Sequence, residues 1–265
     1  MKIYISADIE GVNNILTWDE TELENSEYNY FRKQMTDEVK AACLGAKKAN
    51  ASEILIKDAH DSARNLILSE LPNYISLHRG WEGCPCSMMA GLDETYDAVI
   101  FIGYHSPSRS DGNPLSHTMN THIHHVKING EIASEFYINA LYASYLNVPI
   151  AFLSGDKNLT ELVKKENENI ITVPTKEGRH GAVISRHPEI TNKEIEEKVF
   201  EALSKDLKNN LVKLPELFDI EIQYKNFNDA YKSSFYPGCK LIGSDKVSFS
   251  SDDYYEVLRA FKFIL

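Results

Sequence analysis

Cysteine is scarce in this chain. Four cysteines occur in 265 residues, and the closest pair, Cys84 and Cys86, is separated by a single proline. Zinc and redox motifs usually place two residues between their thiols, and disulfide-rich folds contain many more cysteines. We therefore expect the cysteines to be structural and the protein to be cytoplasmic.

Positive charge and long apolar runs are also in short supply. Lysine and arginine number 28 against 39 aspartates and glutamates, a net charge of −11. This balance argues against nucleic acid or an anionic membrane as the main partner. No apolar run approaches a transmembrane span, and the pattern after Met1 predicts a strand rather than a signal peptide.

Several common catalytic signatures are missing. The chain has no Gly-x-Gly-x-x-Gly element, no phosphate-binding P-loop and no Gly-x-Ser-x-Gly element. Glycine-rich loops of these kinds bind nucleotide phosphates, and the last one carries the nucleophile of many serine hydrolases. Their absence disfavours both classes of function.

Three apolar segments of the chain end in residues that commonly bind metals. Each segment has the pattern of a buried β-strand, and ligands of open α/β sheets bind beyond the carboxyl ends of the strands. Because strand side chains alternate, Asp8 and Glu10 should project to one side, as should Asp58 and His60. Carboxylates and imidazoles gathered there would suit zinc, manganese or a related divalent ion. The segments are residues 2–10, 53–60 and 98–105, the last of which ends in His105.

The sequence leaves the roles of Glu135, His117 and Asp58 open. Glu135 opens a predicted helix, where a carboxylate is favourable in any case because it faces the positive end of the helix dipole. His117 lies in a loop, where a histidine can transfer protons near neutral pH. Asp58 is expected either to bind metal directly or to hold His60 in place.

The order of elements predicts an α/β protein with a mostly parallel sheet and flanking helices, Rossmann-like in its N-terminal layer. A helix at about residues 26–50 follows the first strand and precedes the second, which is a βαβ unit. The sequence pattern changes from about Thr191, after His187-Pro188 interrupts it within a possible linker at residues 185–190. We expect a metal-binding catalytic domain at residues 1–190 and a smaller α+β domain at residues 191–265.

Four motifs, taken in order, resemble the bacterial zinc-dependent D-aminopeptidases, the self-compartmentalising metallopeptidases associated with dipeptide-transport operons. Weaker similarity occurs at residues 128–130, 135–140 and 154–156. The four motifs are Ser6-Ala7-Asp8-Ile9-Glu10-Gly11, Lys57-Asp58-Ala59-His60, Gly103-Tyr104-His105 and Ser116-His117-Thr118-Met119.

The resemblance implies two zinc ions per subunit. Asp8 matches the carboxylate that bridges them. Glu10 and His60 match the other protein ligands of one ion, and His105 and Glu135 match those of the other.

The resemblance also implies an activity and an assembly. His117 matches the catalytic histidine, with roles in acid–base catalysis, oxyanion stabilisation or nucleophilic attack all open. The implied substrates are dipeptides or amino acid amides with an N-terminal D-residue, although stereochemical preference stays open. The implied assembly is a homodecamer of two stacked five-membered rings.

Two other functions are compatible with the residues. A dinuclear metal phosphoesterase would use the same ligand types but would need basic residues to clamp phosphate. Arg64, Arg79 and Arg109 are the candidates, and none belongs to a known phosphate motif. A metal-binding regulatory protein without turnover is the third hypothesis.

Overall fold

Twelve strands and six α-helices make up the computed structural model, which describes residues 1–265. The strands, in chain order, are β1 (Lys2–Ala7), β2 (Glu53–Asp58), β3 (Ser76–His78), β4 (Ala98–Tyr104), β5 (Ile123–Ile128), β6 (Glu131–Ile132), β7 (Ile150–Asp156), β8 (Ile171–Arg179), β9 (Ala182–Ser185), β10 (Phe218–Tyr224), β11 (Lys240–Leu241) and β12 (Lys246–Ser251). The helices are α1 (Tyr28–Lys48), α2 (Glu135–Tyr145), α3 (Lys157–Glu166), α4 (Pro188–Leu203), α5 (Phe227–Ser233) and α6 (Tyr254–Ile264).

A seven-stranded sheet with the order β3-β2-β1-β4-β7-β8-β9 forms the centre of the fold. All neighbouring strands are parallel except β8 and β9. Strand β1 therefore has β2 on one side and β4 on the other, and the three carboxyl ends meet at one edge. The expected α/β class with a mostly parallel sheet is confirmed.

Helices cover both faces of this sheet. The apolar residues of helix α1 recur every three to four positions and form one buried stripe, which includes Phe31, Met35 and Val39. Helix α4 packs beside α1. Helix α2 covers the opposite face and contacts both β4 and α6. None of the helices is long and apolar enough to cross a membrane.

A second, antiparallel sheet has the order β11-β12-β10-β5-β6. The pair Asn129-Gly130 is typical of a tight hairpin turn and forms one between β5 and β6, with positive φ at both residues. Because β5 pairs with β10, this sheet takes strands from both sides of residue 190. The division into residues 1–190 and 191–265 stays a prediction.

One strand of the central sheet is longer than its sequence pattern predicts. The pattern predicts a short strand at residues 170–173, whereas β8 continues to Arg179 and turns back into β9. Its pattern was hidden because Thr175 and Lys176 are polar yet buried, with their side chains bonded to backbone carbonyls. The dipeptide His187-Pro188 lies between β9 and α4, where His187 caps the helix and Pro188 occupies its first turn.

Two glycines let the ends of β1 and β4 approach each other closely. The Gly11 amide donates to the Gly103 carbonyl at 2.8 Å. A Cβ at Gly11 would overlap the carbonyl oxygen of Tyr104, and one at Gly103 would overlap that of Asp8. Gly103 also has φ of +70°, which side-chain-bearing residues rarely adopt. The contact brings the residues after each strand to the same place.

Replacing Gly11 with alanine should therefore lower stability. The added methyl group has no space, and overpacking of this kind costs about 1–3 kcal/mol. Because each kcal/mol lowers the melting temperature by about 2–4 °C, the melting temperature should fall by several degrees. Gly181→Ala is the matched control, because a Cβ there meets nothing within 4 Å. Equal melting temperatures for the two variants would contradict the close approach.

Candidate metal centre

The structure brings together the six residues to which the family resemblance gives a role in this site. Asp8 and Glu10 follow β1, His60 follows β2, and His105 follows β4. Glu135 is the first residue of α2, and His117 comes from the loop before β5. All except His117 are buried, and that ring is only 14% exposed.

The possible metal-binding atoms form three overlapping groups. Within each group, these atoms all lie within 4.8 Å of one another. The groups are Asp8 with Glu10 and His60, Asp8 with His105 and Glu135, and Glu10 with His105 and His117.

Asp8 lies at the centre of this arrangement and turns its two oxygens in different directions. Its Oδ1 is 3.4 Å from His60 Nδ1, whereas its Oδ2 is 3.6 Å from His105 Nε2. On the first side, Glu10 Oε2 is 3.1 Å from the same His60 nitrogen. On the second side, Glu135 Oε1 is 3.4 Å from His105 Nε2. One carboxylate thus joins two sets of possible ligands.

Backbone carbonyls determine how the three imidazoles are protonated. His60 Nε2 faces the Thr21 carbonyl at 3.0 Å, His105 Nδ1 faces that of Ser106 at 2.9 Å, and His117 Nδ1 faces that of Leu115 at 2.9 Å. Because a carbonyl only accepts hydrogen bonds, each of these nitrogens carries the proton. The opposite nitrogen of each neutral ring then directs a lone pair into the cluster, as in metal-binding histidines.

The cluster is electrostatically incomplete. Asp8 Oδ2, Glu10 Oε2 and His105 Nε2 are buried and have no hydrogen-bond partner. Buried polar atoms without partners are rare and costly, so such a group calls for an explanation. A divalent cation supplies one, because carboxylate oxygens and imidazole nitrogens are ligands that zinc prefers. The residues present therefore fit a metal.

Without a cation, the cluster holds protons instead. Burial raises the pKa of Asp8 well above its usual value, and the Glu10 carboxylate raises it further. Burial alone would lower the pKa of His105, but the negative charge of Glu135, whose Oε1 is 3.4 Å from Nε2, raises it to about 10. Burial alone would also lower the pKa of His60. The negative charge of Glu10 outweighs this effect and raises the pKa of His60 well above its usual value.

His117 differs from the other two histidines. Burial lowers its pKa, and the neighbouring His105 lowers it further. Its ring stacks on that of His105, with centroids 4.3 Å apart, and contacts the edge of Trp18 at 5.2 Å. Its Nε2 lies 3.4 Å from Glu135 Oε1 and 3.9 Å from Glu10 Oε1. A neutral imidazole beside two carboxylates is suited to accept and return a proton.

The expected role of Asp58 was wrong. Its carboxylate neither joins the ligand groups nor contacts the His60 ring. It accepts hydrogen bonds from the Asn65 and Leu66 amides at 2.6 and 2.8 Å and from the Asn65 side chain at 2.7 Å. The same Asn65 amide group donates to the His60 carbonyl. Asp58 therefore shapes the loop that carries His60.

Asp156 supports the cluster, and the sequence did not reveal this role. It caps α3 and accepts two hydrogen bonds from Ser106, whose carbonyl orients His105. Asn113 links the Asp156 carboxylate to the Glu10 carbonyl, at 3.2 and 2.9 Å. The only sequence signal was the weak similarity at residues 154–156.

Lys176 was also missed. Its buried Nζ donates to the carbonyls of Glu10 at 2.5 Å and Ile15 at 2.6 Å, which fixes the loop after β1. Burial lowers the pKa of Lys176 to about 8, although Asp156 and other carboxylates oppose this shift. The sequence alone does not show that a lysine within a strand donates hydrogen bonds to a distant loop.

A cleft of about 730 Å³ opens onto the cluster. Its walls include Trp18, Trp81, Met88 and Met119, and its volume lies within the range of about 300–1,000 Å³ typical of small-molecule sites. None of the three arginines considered for phosphate binding lines it. Cys84 lines it but joins none of the metal-ligand groups.

Comparison with known proteins assigns the family. The profile of the peptidase M55 family, described as D-aminopeptidase, matches residues 1–263. The chain belongs to this family. The M55 membership makes it a peptidase and confirms the family predicted from the four motifs.

Two relatives resemble this M55 peptidase over nearly their whole length. The D-aminopeptidase of Bacillus subtilis (strain 168) is 28% identical over 264 residues, which cover 98% of this chain and 95% of the relative. The solved structure of the zinc-dependent D-aminopeptidase DppA from Bacillus subtilis, a self-compartmentalizing protease, has a TM-score of 0.93. It is 27% identical, and the match covers 100% of this chain and 96% of that one.

Metal binding to this cluster should release protons. Because the pKa values of His60 and His105 are raised, both rings are protonated at pH 7 in the metal-free protein, and metal ligation requires the neutral form. Zinc titrations in buffers of different ionisation enthalpy should show release of more than about one proton per chain. Apparent affinity should weaken from pH 8 to pH 6. His60→Ala should release fewer protons, and buffer-independent heats would contradict the assignment.

Proposed function

We propose that this M55 peptidase is a dinuclear zinc aminopeptidase that removes N-terminal D-amino acids from dipeptides or amino acid amides. The observation that carries the dinuclear part is the placement of Asp8, whose two oxygens face two different sets of ligands. The zinc-dependent relative of known structure supports the choice of metal, and the family supports the type of bond cleaved.

The proposed ligand sets share only Asp8. Glu10 and His60 complete one set, and His105 and Glu135 complete the other. When bound, zinc would supply Lewis acidity, which polarises a carbonyl group and lowers the pKa of water. Each set has three protein ligands, which is the number typical of catalytic zinc sites because one position stays open.

His117 would act as the general acid and base. Burial lowers the pKa of this ring and so favours its neutral form, its Nδ1 is held by the Leu115 carbonyl, and the residue lines the cleft. Nε2 would take a proton from the attacking water and deliver it to the departing nitrogen. Glu135 lies close enough to stabilise the charged imidazolium in between.

The charge of the cleft suits a substrate with a free amine. Six carboxylates line it: Asp8, Glu10, Glu22, Asp61, Glu82 and Glu135. Such a lining attracts an ammonium group and repels anions. This is consistent with an aminopeptidase, which binds the free N-terminus of its substrate.

The same charge disfavours the phosphoesterase alternative. A phosphate ester would bring about two negative charges into a pocket lined by six carboxylates, with Lys262 as its one lysine and no arginine. The regulatory alternative, a metal-binding protein without turnover, predicts that substitution of His117 has no biochemical effect.

A homo-oligomer is proposed from the self-compartmentalizing relative. Large aromatic side chains near the C-terminus are exposed, among them Phe227 at 62%, Phe235 at 71% and Phe263 at 70%. Such exposed aromatic side chains are compatible with a subunit interface, where large apolar surfaces are commonly buried. The decamer of two five-membered rings and the cytoplasmic location stay predictions.

Substituting His117 should separate catalysis from metal binding. His117→Ala should keep its zinc content, because both proposed ligand sets remain, and should lose roughly 100-fold or more in kcat, as expected for an acid–base group. Elemental analysis and turnover of the same preparation test this. His122→Ala, an exposed histidine outside the cleft, is the control. Undiminished turnover of His117→Ala would reject the assignment.

A substrate panel should separate the candidate functions. The zinc-loaded protein should hydrolyse D-alanine p-nitroanilide faster than its L-enantiomer and leave p-nitrophenyl phosphate intact. Removing the metal with a chelator should abolish hydrolysis, because the proposed reaction needs bound zinc. Added zinc should restore hydrolysis. Faster cleavage of the phosphate ester would favour the phosphoesterase, and no cleavage of any substrate would favour the regulatory protein.

A further inference from the structure

Lys262 is the one basic residue other than histidine among the residues that line the cleft. It lies in the last turn of α6, and its side chain forms no hydrogen bond or ion pair with the rest of the chain. The other charged side chains lining the cleft, apart from the histidines, are carboxylates. An unpaired cation among six carboxylates is available for an anionic group of the substrate.

The backbone that carries Lys262 is firmly placed relative to the metal cluster. The Tyr254 hydroxyl at the start of α6 donates to the Ile138 carbonyl of α2 at 2.6 Å. The Tyr224 hydroxyl donates to the Ile264 carbonyl at the end of α6, also at 2.6 Å. Helix α2 begins with Glu135, a proposed metal ligand. Packing of α6 on α2 therefore fixes the backbone of Lys262 at the wall of the cleft that opens onto the cluster.

The charges of a dipeptide explain why such a cation matters. Its ammonium group is attracted by the acidic lining, but its free carboxylate is repelled unless a positive charge lies beside it. An amino acid amide or a peptide with an amidated C-terminus has no such carboxylate. A positive charge at Lys262 would therefore favour substrates with a free C-terminal carboxylate over amides.

We infer that Lys262 binds the free C-terminal carboxylate of a short peptide and so selects dipeptides over amides and C-terminally blocked peptides. This inference rests on the proposed aminopeptidase function and names its substrate class. Lysine suits the task because its flexible stem lets one point charge follow carboxylates at different positions. Arginine could replace it, because the positive charge is the essential feature.

The test compares one peptide with a free and an amidated C-terminus. Zinc-loaded enzyme would be assayed on D-alanyl-glycine and D-alanyl-glycinamide. For Lys262→Gln, kcat/KM on the free acid should fall about tenfold, mainly through KM, as for loss of a charged hydrogen bond. The amidated peptide should lose no more than about twofold in the same assay. Lys262→Arg should recover most of the activity on the free acid.

Arg259→Gln is the matched control. It removes one positive charge from an exposed position of the same helix, where Arg259 pairs with Glu256, and it lies outside the cleft lining. It should affect both peptides equally and little. Zinc content and melting temperature, measured for every variant, show that folding is intact.

Two results would overturn the inference. Equal losses on both peptides would indicate that Lys262 acts only on the structure of α6, and no loss on either would show that the carboxylate binds elsewhere. Failure of the unmodified enzyme to cleave either peptide would instead contradict the proposed function, and the inference with it. The two failures are thus distinguishable.

Discussion

Burial of Asp8 between two imidazoles is the interaction on which the rest of this site depends. Its side chain is excluded from water, one oxygen faces His60, and the other faces His105. A buried carboxylate without compensation is strongly unfavourable, and Glu10 and Glu135 add further negative charge nearby. The arrangement is stable only with protons or cations among these groups. That requirement is why we propose these residues as a metal site.

The fold holds this costly arrangement in place through backbone contacts rather than through side-chain packing alone. Gly11 and Gly103 bring the ends of β1 and β4 together, and Lys176 and Asn113 bind the carbonyl of Glu10. Ser106 orients His105 through its carbonyl and is itself held by the carboxylate of Asp156. Ligands positioned in this way lose little freedom on binding a metal, which favours tight chelation.

The strand ends of the site could be predicted from the sequence alone. Asp8, Glu10, His60 and His105 follow apolar segments whose period and order indicate neighbouring parallel strands. Glu135 and His117 needed the family resemblance, because a helix start and a loop have no fixed place relative to a sheet. The antiparallel part of β8 was missed because the burial of Lys176 depends on carbonyls far away in the sequence. Asp58 was misassigned because strand alternation gives the side of the sheet but not the hydrogen-bond partner.

Zinc sites seen directly would test the central claim that Asp8 joins two cations. A crystal of the zinc-loaded protein would be measured at wavelengths on both sides of the zinc absorption edge. The account predicts two anomalous peaks per chain, both about 2.0–2.2 Å from an Asp8 oxygen. One peak would also contact His60, and the other would also contact His105. A single peak, or two peaks that do not share Asp8, would contradict it.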